Sequence, residues 1–316
     1  MNELVIISGK GGTGKTSITA SLAVLAGTAV VADCDVDAAD LHLVLAPEVE
    51  RREDFRSGHA ARVRADDCNG CGTCVELCRF DALRWEMRAD GGRVAAVAPG
   101  ACEGCGLCVR YCPQYAIDFD ECTCGEWYVS RTRCGPLVHA ALAPAAENSG
   151  KLVSVVREQA RAVAAAQGRE LILIDGAPGI GCPVIASIAG VRLALVVTEP
   201  TVSGLHDLER ITQVTGHFKV PTCICINKWD LHPPTAERIT TWAAERGLPV
   251  VGRVRYDRAV TQAQMRGQAL VELTTAGAAE DVRALWQALG ERMRRAAEPT
   301  GGGPVAAAAA PGRSAE

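Results

Sequence analysis

Short apolar runs alternate along this chain with stretches that carry helical spacing. Leu4–Ile7 is a largely β-branched run that opens into a glycine loop, and Thr16–Ala26 behind it reads as a helix. A second run, Ala29–Ala32, ends at an acidic cluster. Farther along, Val153, Val156, Ala160 and Val163 fall on one face of a helix predicted over Leu152–Ala166. Three continuous apolar runs follow, Leu171–Ile174, Leu193–Val197 and Thr222–Ile226, each trailed by loop residues and another helical stretch. Strands that are apolar on both faces need cover on both faces. Their alternation with helices predicts an α/β fold with a parallel sheet wrapped by helices. Near the end, Val282, Leu285, Trp286, Leu289 and Met293 keep helical spacing, with Arg283, Arg292, Arg294 and Arg295 beside them. Packing of that stripe on the domain is the expected arrangement; a membrane-lying amphipathic helix is the alternative. The Gly/Ala/Pro-rich stretch Pro299–Glu316 predicts a disordered tail.

Cysteine content changes this picture. The 316 residues include 15 cysteines against only 4% aromatics. Eight cysteines fall between Cys68 and Cys112, and Cys122, Cys124 and Cys134 follow. This block interrupts the strand–helix alternation after the second strand, which predicts a small domain inserted into a larger one. The expected division is residues 1–58 and 126–296 for the α/β domain, 59–125 for the insert, and 297–316 for the tail. A net charge of −4 leaves no basic excess for gripping nucleic acid. No apolar run approaches the roughly 18 residues of a membrane span, and the N-terminus lacks the basic start of a signal peptide. A cytoplasmic setting is therefore expected, where reduced cysteines serve as metal ligands more readily than as disulfides.

Gly9-Lys10-Gly11-Gly12-Thr13-Gly14-Lys15-Thr16 satisfies the G-x-x-x-x-G-K-T phosphate loop and lies between a strand and a helix, as that motif requires. Glycines let the backbone wrap closely enough for its N–H groups to face phosphate oxygens. Lys15 is placed to neutralise the β- and γ-phosphates of ATP and Thr16 to ligate Mg²⁺, with Gly11, Gly12, Thr13, Gly14 and Ser17 completing the cradle. The second lysine, Lys10, makes this loop resemble the deviant Walker A motif of the MinD/ParA/Mrp family, to which the nitrogenase iron protein also belongs. The resemblance implies that Lys10 reaches across an ATP-sandwiched homodimer to the partner's nucleotide. It further implies that Asp35, in Asp33-Cys34-Asp35-Val36-Asp37, positions the attacking water and Mg²⁺. Asp175-Gly176-Ala177-Pro178-Gly179 resembles the family's Walker B and switch II, and Asn227-Lys228 its adenine-reading pair. The 33 basic residues include only five lysines, and Lys10, Lys15 and Lys228 all sit in these motifs. Lys151 is a further candidate contact, against the plainer reading of a solvated residue at a helix start.

In the cysteine block, Cys68-x₂-Cys71-x₂-Cys74-x₃-Cys78 is followed by Cys102-x₂-Cys105-x₂-Cys108-x₃-Cys112-Pro113. Three thiolates of each quartet reach one cubane and the fourth serves the other. Cluster I is therefore assigned to Cys68, Cys71, Cys74 and Cys112, and cluster II to Cys102, Cys105, Cys108 and Cys78. Zinc knuckles fit such interlocked quartets poorly. The pattern resembles a bacterial ferredoxin module with two [4Fe–4S] clusters, with Arg79 where that module usually has proline. Cys122, Cys124 and Cys134 are left as a third metal site, a labile cluster site or a redox pair. Cys182 is expected to be buried, with ligation of a dimer-bridging cluster, partnered by Cys134, as the alternative. Cys34, Cys223 and Cys225 are expected in the core.

Together these motifs resemble MinD-superfamily ATPases that carry an inserted ferredoxin domain. The implied protein hydrolyses ATP, slowly until a partner stimulates it, and couples a homodimer switch to electron transfer through two clusters. Its partner would be a redox or metallocofactor-assembly protein, with no nucleic acid and no stable membrane insertion. Two loaded clusters would take the chain to about −8, which favours a basic docking partner. An Mrp-like cluster carrier and a MinD/ParA-like positioning ATPase are the alternatives.

Overall fold

The computed structural model describes residues 1–143, 146 and 149–295; the tail expected at 297–316 lies outside the described residues. Eleven strands are present among them: β1 (Asn2–Ser8), β2 (Val30–Asp33), β3 (Glu48–Val63), β4 (Leu83–Met87), β5 (Arg93–Val97), β6 (Ile117–Thr132), β7 (Gly135–Leu142), β8 (Leu171–Pro178), β9 (Leu193–Thr198), β10 (Thr222–Asn227) and β11 (Val250–Val254). Nine form one sheet in the order β11-β10-β9-β1-β8-β2-β7-β6-β3, and β4 and β5 form a separate hairpin. From β11 to β7 all neighbours run parallel, whereas β6 is antiparallel to β7 and β3 is antiparallel to β6.

The unbroken apolar runs are explained by two cores. Successive side chains of a strand point to opposite faces. Accordingly, Leu4 and Ile6 pack on one side with helices Lys15–Ala26 and Ala278–Arg295, and Val5 and Ile7 on the other with helices Ser149–Ala166 and Val202–His217. All four strand residues are fully buried. The C-terminal stripe packs as expected: Val282, Leu285 and Leu289 are buried in the first of these cores. Cys34, Cys223 and Cys225 are also in the core, where burial pushes the Cys223 thiol up to about 12. No described helix is long and apolar enough to cross a membrane.

The cysteine-rich segment grows directly out of the sheet. β3 and β6 are each 16 residues long and pair along their whole length, so the positions 58/59 and 125/126 both fall inside continuous strands. The pairing register shifts around Phe55–His59, opposite Cys122 and Cys124. Below that irregularity, Ala61 and Ile117 from the ribbon pack against Leu83 and Ala95 of the β4–β5 hairpin and against Cys74 and Cys108. The latter two come from the short helices Thr73–Leu77 and Leu107–Arg110. Lys151 Nζ donates to Ser57 Oγ at 3.4 Å, tying the helix Ser149–Ala166 to the joint.

On β7, His139 is buried between Tyr128 and His42, with ring centroids 4.8 and 6.2 Å away, and its Nε2 lies 3.0 Å from Ser130 Oγ. Burial, and then the charge of His42, hold His139 down to about 4. The unfolded chain takes up this proton near pH 6.5 and the folded one only near pH 4. Stability contributed by the neutral ring is therefore present above pH 6.5 and is lost as pH falls toward 4. Between pH 7 and 4, the wild type is expected to lose roughly 3 kcal/mol more than His139→Gln. Urea unfolding at both pH values measures that difference.

Candidate functional site

Three adjacent strands deliver the site. β1, β8 and β2 are neighbours, and the register places Asp175 beside Ile6 on one side and Asp33 on the other. Their C-terminal ends bring the loop Gly9–Gly14, Asp175, and Asp33 with Asp35 to one edge of the sheet, where parallel α/β sheets bind ligands. Asp175 is 1% exposed and accepts from three groups of the helix Lys15–Ala26. Lys15 Nζ lies 2.9 Å from Oδ1, Thr19 Oγ1 donates to Oδ1 at 2.8 Å, and Thr16 Oγ1 donates to Oδ2 at 2.8 Å. Lys15 Nζ is also 3.6 Å from Asp35. Asp33 accepts from the backbone N–H groups of Asp35 and Leu41.

This arrangement holds three carboxylates around one ammonium. Burial alone would lower Lys15, but the charges of Asp175 and Asp35 outweigh it and hold the ammonium above its ordinary range. Burial pushes Asp33 well up, with the Asp175 charge adding to it. Asp35 is likewise raised by burial, an effect that the Lys15 ammonium only partly opposes. Such a carboxylate excess is relieved by a divalent cation. Thr16 and Asp35 line the same cavity and have the oxygen chemistry for Mg²⁺. Thr13 Oγ1 is buried with no hydrogen-bond partner, as expected of a donor meant for an incoming ligand.

The cavity has a volume of about 450 Å³, within the range of small-molecule sites. It brings together Gly11, Gly12, Thr13, Gly14, Lys15, Thr16, Ser17, Asp35, Asn227 and Lys228. Asp175 lies beneath it, and Gly179 N–H donates to Ser8 O, at the end of β1, at 2.9 Å. Lys10 points elsewhere: its Nζ donates to Ser203 Oγ at 3.0 Å. The cavity is also lined by Tyr256, Asp257, Val260 and Gln264, which the sequence did not reveal. They follow β11, a strand of five residues with a central Gly252, too short and too interrupted to register as an apolar run. Asn227 has a second duty beyond any contact with a base. Its Nδ2 donates to Thr13 O at 2.7 Å, and its Oδ1 accepts from Lys228 N at 3.0 Å. Asn227 thereby clamps the phosphate loop.

The cysteines form two groups. Cys68, Cys71, Cys74 and Cys112 line one small cavity, and Cys78, Cys102, Cys105 and Cys108 line another. Backbone N–H groups of Ala116, Ala82 and Ala61 donate to the sulfurs of Cys112, Cys78 and Cys102 at 3.3–3.4 Å. Burial, then the charges of neighbouring thiols, hold Cys74 up to about 11. Among the described residues, no group of three or more His, Cys, Asp or Glu side chains is arranged to hold a metal ion. Cys122 and Cys124 share a separate cleft of about 910 Å³ with Cys102. Cys134 is buried at the β6–β7 turn, in a different core from Cys124. The expected burial of Cys182 is corrected: it is exposed, because it opens the helix Cys182–Ile188 just past a glycine loop at the sheet edge. Lys151 does not line the nucleotide cavity.

A parallel sheet with a phosphate loop at its edge and a nucleotide-sized cavity beside it defines a P-loop nucleotide-binding protein. The chain belongs to the CobQ/CobB/MinD/ParA nucleotide-binding domain family, whose model matches residues 4–271. It is 35% identical over 229 residues to the Methanocaldococcus jannaschii protein MJ0578, covering 72% of this chain and 78% of that one. A second protein of that organism, MJ0579, is 22% identical over 281 residues, covering 86% and 93%. Among solved structures, the cell division ATPase MinD of Pyrococcus furiosus is similar with a TM-score of 0.55 at 18% identity, covering 92% of this chain and 99% of that one. MinD from Pyrococcus horikoshii, complexed with Mg-ADP, gives a TM-score of 0.56 at 17% identity, covering 94% and 99%. These likenesses show the shared fold.

The clamp can be tested at two positions. Gly14 has φ +86°, and a Cβ there would stand 2.3 Å from Asn227 Nδ2. Gly14→Ala is expected to abolish nucleotide binding. Asn227→Ala, which removes one buried hydrogen bond to the loop, is expected to weaken ATP binding about tenfold. Titration with a fluorescent ATP analogue reads both.

Proposed function

We propose that this chain is an ATP-hydrolysing iron–sulfur protein that works as a homodimer. Nucleotide state would control electron transfer through two [4Fe–4S] clusters to a redox or metallocofactor-assembly partner. The observation that carries the reading is that each predicted quartet of cysteines lines a single cavity, at the end of a ribbon continuous with the ATPase sheet. One zinc ion would draw four sulfurs to about 2.3 Å from a common centre, an arrangement in which they become near neighbours. Two interlocked quartets, each with three closely spaced cysteines and a fourth farther on, suit a pair of polynuclear cores better than separate zinc knuckles. The backbone N–H groups directed at the sulfurs of Cys78, Cys102 and Cys112 would donate to the ligand sulfurs of a bound cluster. The clusters, when bound, would each accept and pass on one electron.

In the ATPase cycle, Lys15 and the loop amides would hold the phosphates, Thr16 would ligate Mg²⁺, and Asp35 would orient the attacking water. Asp175, buried beneath the cavity, would fix Thr16 and Lys15 in place. ATP and water would yield ADP and phosphate, and loss of the γ-phosphate would loosen the Asp35 and Asp175 segments.

A second reading, a MinD/ParA-like positioning ATPase, is favoured by the cell division proteins among the structural neighbours. It gives the cysteine quartets no task. The apolar stripe Val282–Leu289 is also buried against the sheet and is not free to lie on a membrane. A cluster carrier would use the thiols left over, Cys122 and Cys124 in their cleft and the exposed Cys182.

Anaerobic reconstitution is expected to give about eight irons per chain, stable to mild chelator, and Cys112→Ser and Cys78→Ser are each expected to disturb one cluster. EPR of the reduced protein is expected to change on adding ATP. A further chelatable iron pool would favour the carrier, and an iron-free protein that pellets with liposomes would favour the positioning ATPase. Asp35→Ala is expected to cut ATP turnover at least about 100-fold while leaving ATP binding within about threefold. Wild-type turnover in that variant would overturn the assigned chemistry.

A further inference from the structure

Two of the five lysines in this chain converge on one carboxylate. Glu199 follows directly on β9, the strand beside β1, and so emerges next to the phosphate loop. Its side chain is 15% exposed. Oε1 pairs with Lys228 Nζ, and Oε2 lies 3.8 Å from Lys10 Nζ. The turn that carries Glu199 is rigid. Thr201 Oγ1 accepts from Gly204 N at 2.9 Å, and a Cβ on Gly204 would come within 2.3 Å of Glu199 O. Ser203, in the first turn of the helix Val202–His217 that follows, supplies the second contact to Lys10, at 3.0 Å.

The two lysines are not held equally. Lys228 also donates to Gly12 O at 3.3 Å, and its backbone is fixed by Asn227. Among the described residues, the Lys10 side chain has the longer contact to Glu199 and the hydroxyl of Ser203, and it is 32% exposed. The two ammonium groups share the Glu199 carboxylate, with Asp207 packed against Gly9 nearby, and the more loosely held of the two is the one that can leave.

We propose that Glu199, with Ser203, is a positioning residue that holds Lys10 against its own chain until a second copy, loaded with ATP, offers it a better anion. This rests on the ATP-dependent homodimer of the proposed function. In the free chain Lys10 is turned away from its own nucleotide cavity by a partly screened ion pair and one hydrogen bond. Reaching a nucleotide on a second chain exchanges those contacts for phosphate oxygens. Glu199 stays behind with Lys228, now paired one to one, and keeps Lys228 against the loop. The holding contact thereby raises the threshold for dimerisation without touching either nucleotide.

Sedimentation velocity of the full chain with a non-hydrolysable ATP analogue tests this, using the wild type, Glu199→Gln, Glu199→Asp and Ser203→Ala. Weakening the hold is expected to tighten the dimer about three- to fivefold in Glu199→Gln and about twofold in the two charge-preserving variants. Tightening in Glu199→Gln alone would overturn the proposal, because it would reflect only the lost negative charge. Unchanged or weaker dimers in all three would overturn it as well. If Glu199→Gln does not fold, the two charge-preserving variants still decide: tightening supports the hold and its absence overturns it. A wild type that binds the analogue yet stays monomeric would instead overturn the dimer reading on which the proposal stands.

Discussion

The buried carboxylate of Asp175 is the contact on which the nucleotide site depends. It sits at the end of β8, between β1 and β2, and three side chains from the first turns of one helix meet on it. Without it the Lys15 ammonium would be buried with only Asp35, 3.6 Å away, as a close partner. Breaking a buried pair in this way typically costs about 3–5 kcal/mol. The same carboxylate accepts the Thr16 hydroxyl proton, which leaves the lone pairs of that oxygen free for a cation. Asp175 therefore orients Thr16 toward a metal and anchors the helix through Lys15 and Thr19 at the same time.

Around that anchor, sequence and structure agree where residues are apolar on both faces or fixed by a motif. The runs at Leu4–Ile7, Leu171–Ile174, Leu193–Val197 and Thr222–Ile226 all lie within strands, because nothing but a central strand can bury such a run on both sides. The phosphate loop was legible because its glycines and lysines are demanded at fixed spacing. β3 was not legible. Its sequence, Glu48–Val63, is crowded with Arg, Glu and Asp, which suits an edge strand that must not pair with another molecule but erases the apolar alternation. β6 was hidden for a different reason: its cysteines drew it into the cysteine block, although half of it belongs to the main sheet.

The site was legible as a list of residues and not as an arrangement. Sequence could place Asn227 beside a nucleotide, but its hold on Thr13 O depends on β10 lying two strands from β1. Lys10 could be recognised as the unusual lysine of the loop, but its present partners lie about 190 residues farther on, in a turn with no motif of its own. Cys182 was misjudged because a small apolar side chain is buried by default, whereas the start of a helix at the sheet edge is exposed. In each case the missing information was which strand ends are neighbours.

That neighbour relation also limits how the nucleotide site and the cysteine cavities can influence each other. β2 ends in Asp33 and pairs with β7, which pairs with β6, which pairs with β3, so the connection is a hydrogen-bonded sheet throughout. A sheet of this kind does not bend appreciably within its plane, and a change at Asp35 cannot travel along it as a gradual distortion. It can be passed on only as a rigid movement of one part against another. The register shift near Ser57, opposite Cys122 and Cys124, is where the ribbon has fewest regular pairings, and Lys151 reaches that point from a helix packed on the main sheet. A relative movement of the two halves would be taken up first at this joint, and the cleft beside it, lined by Cys122 and Cys124, is the surface it would reshape.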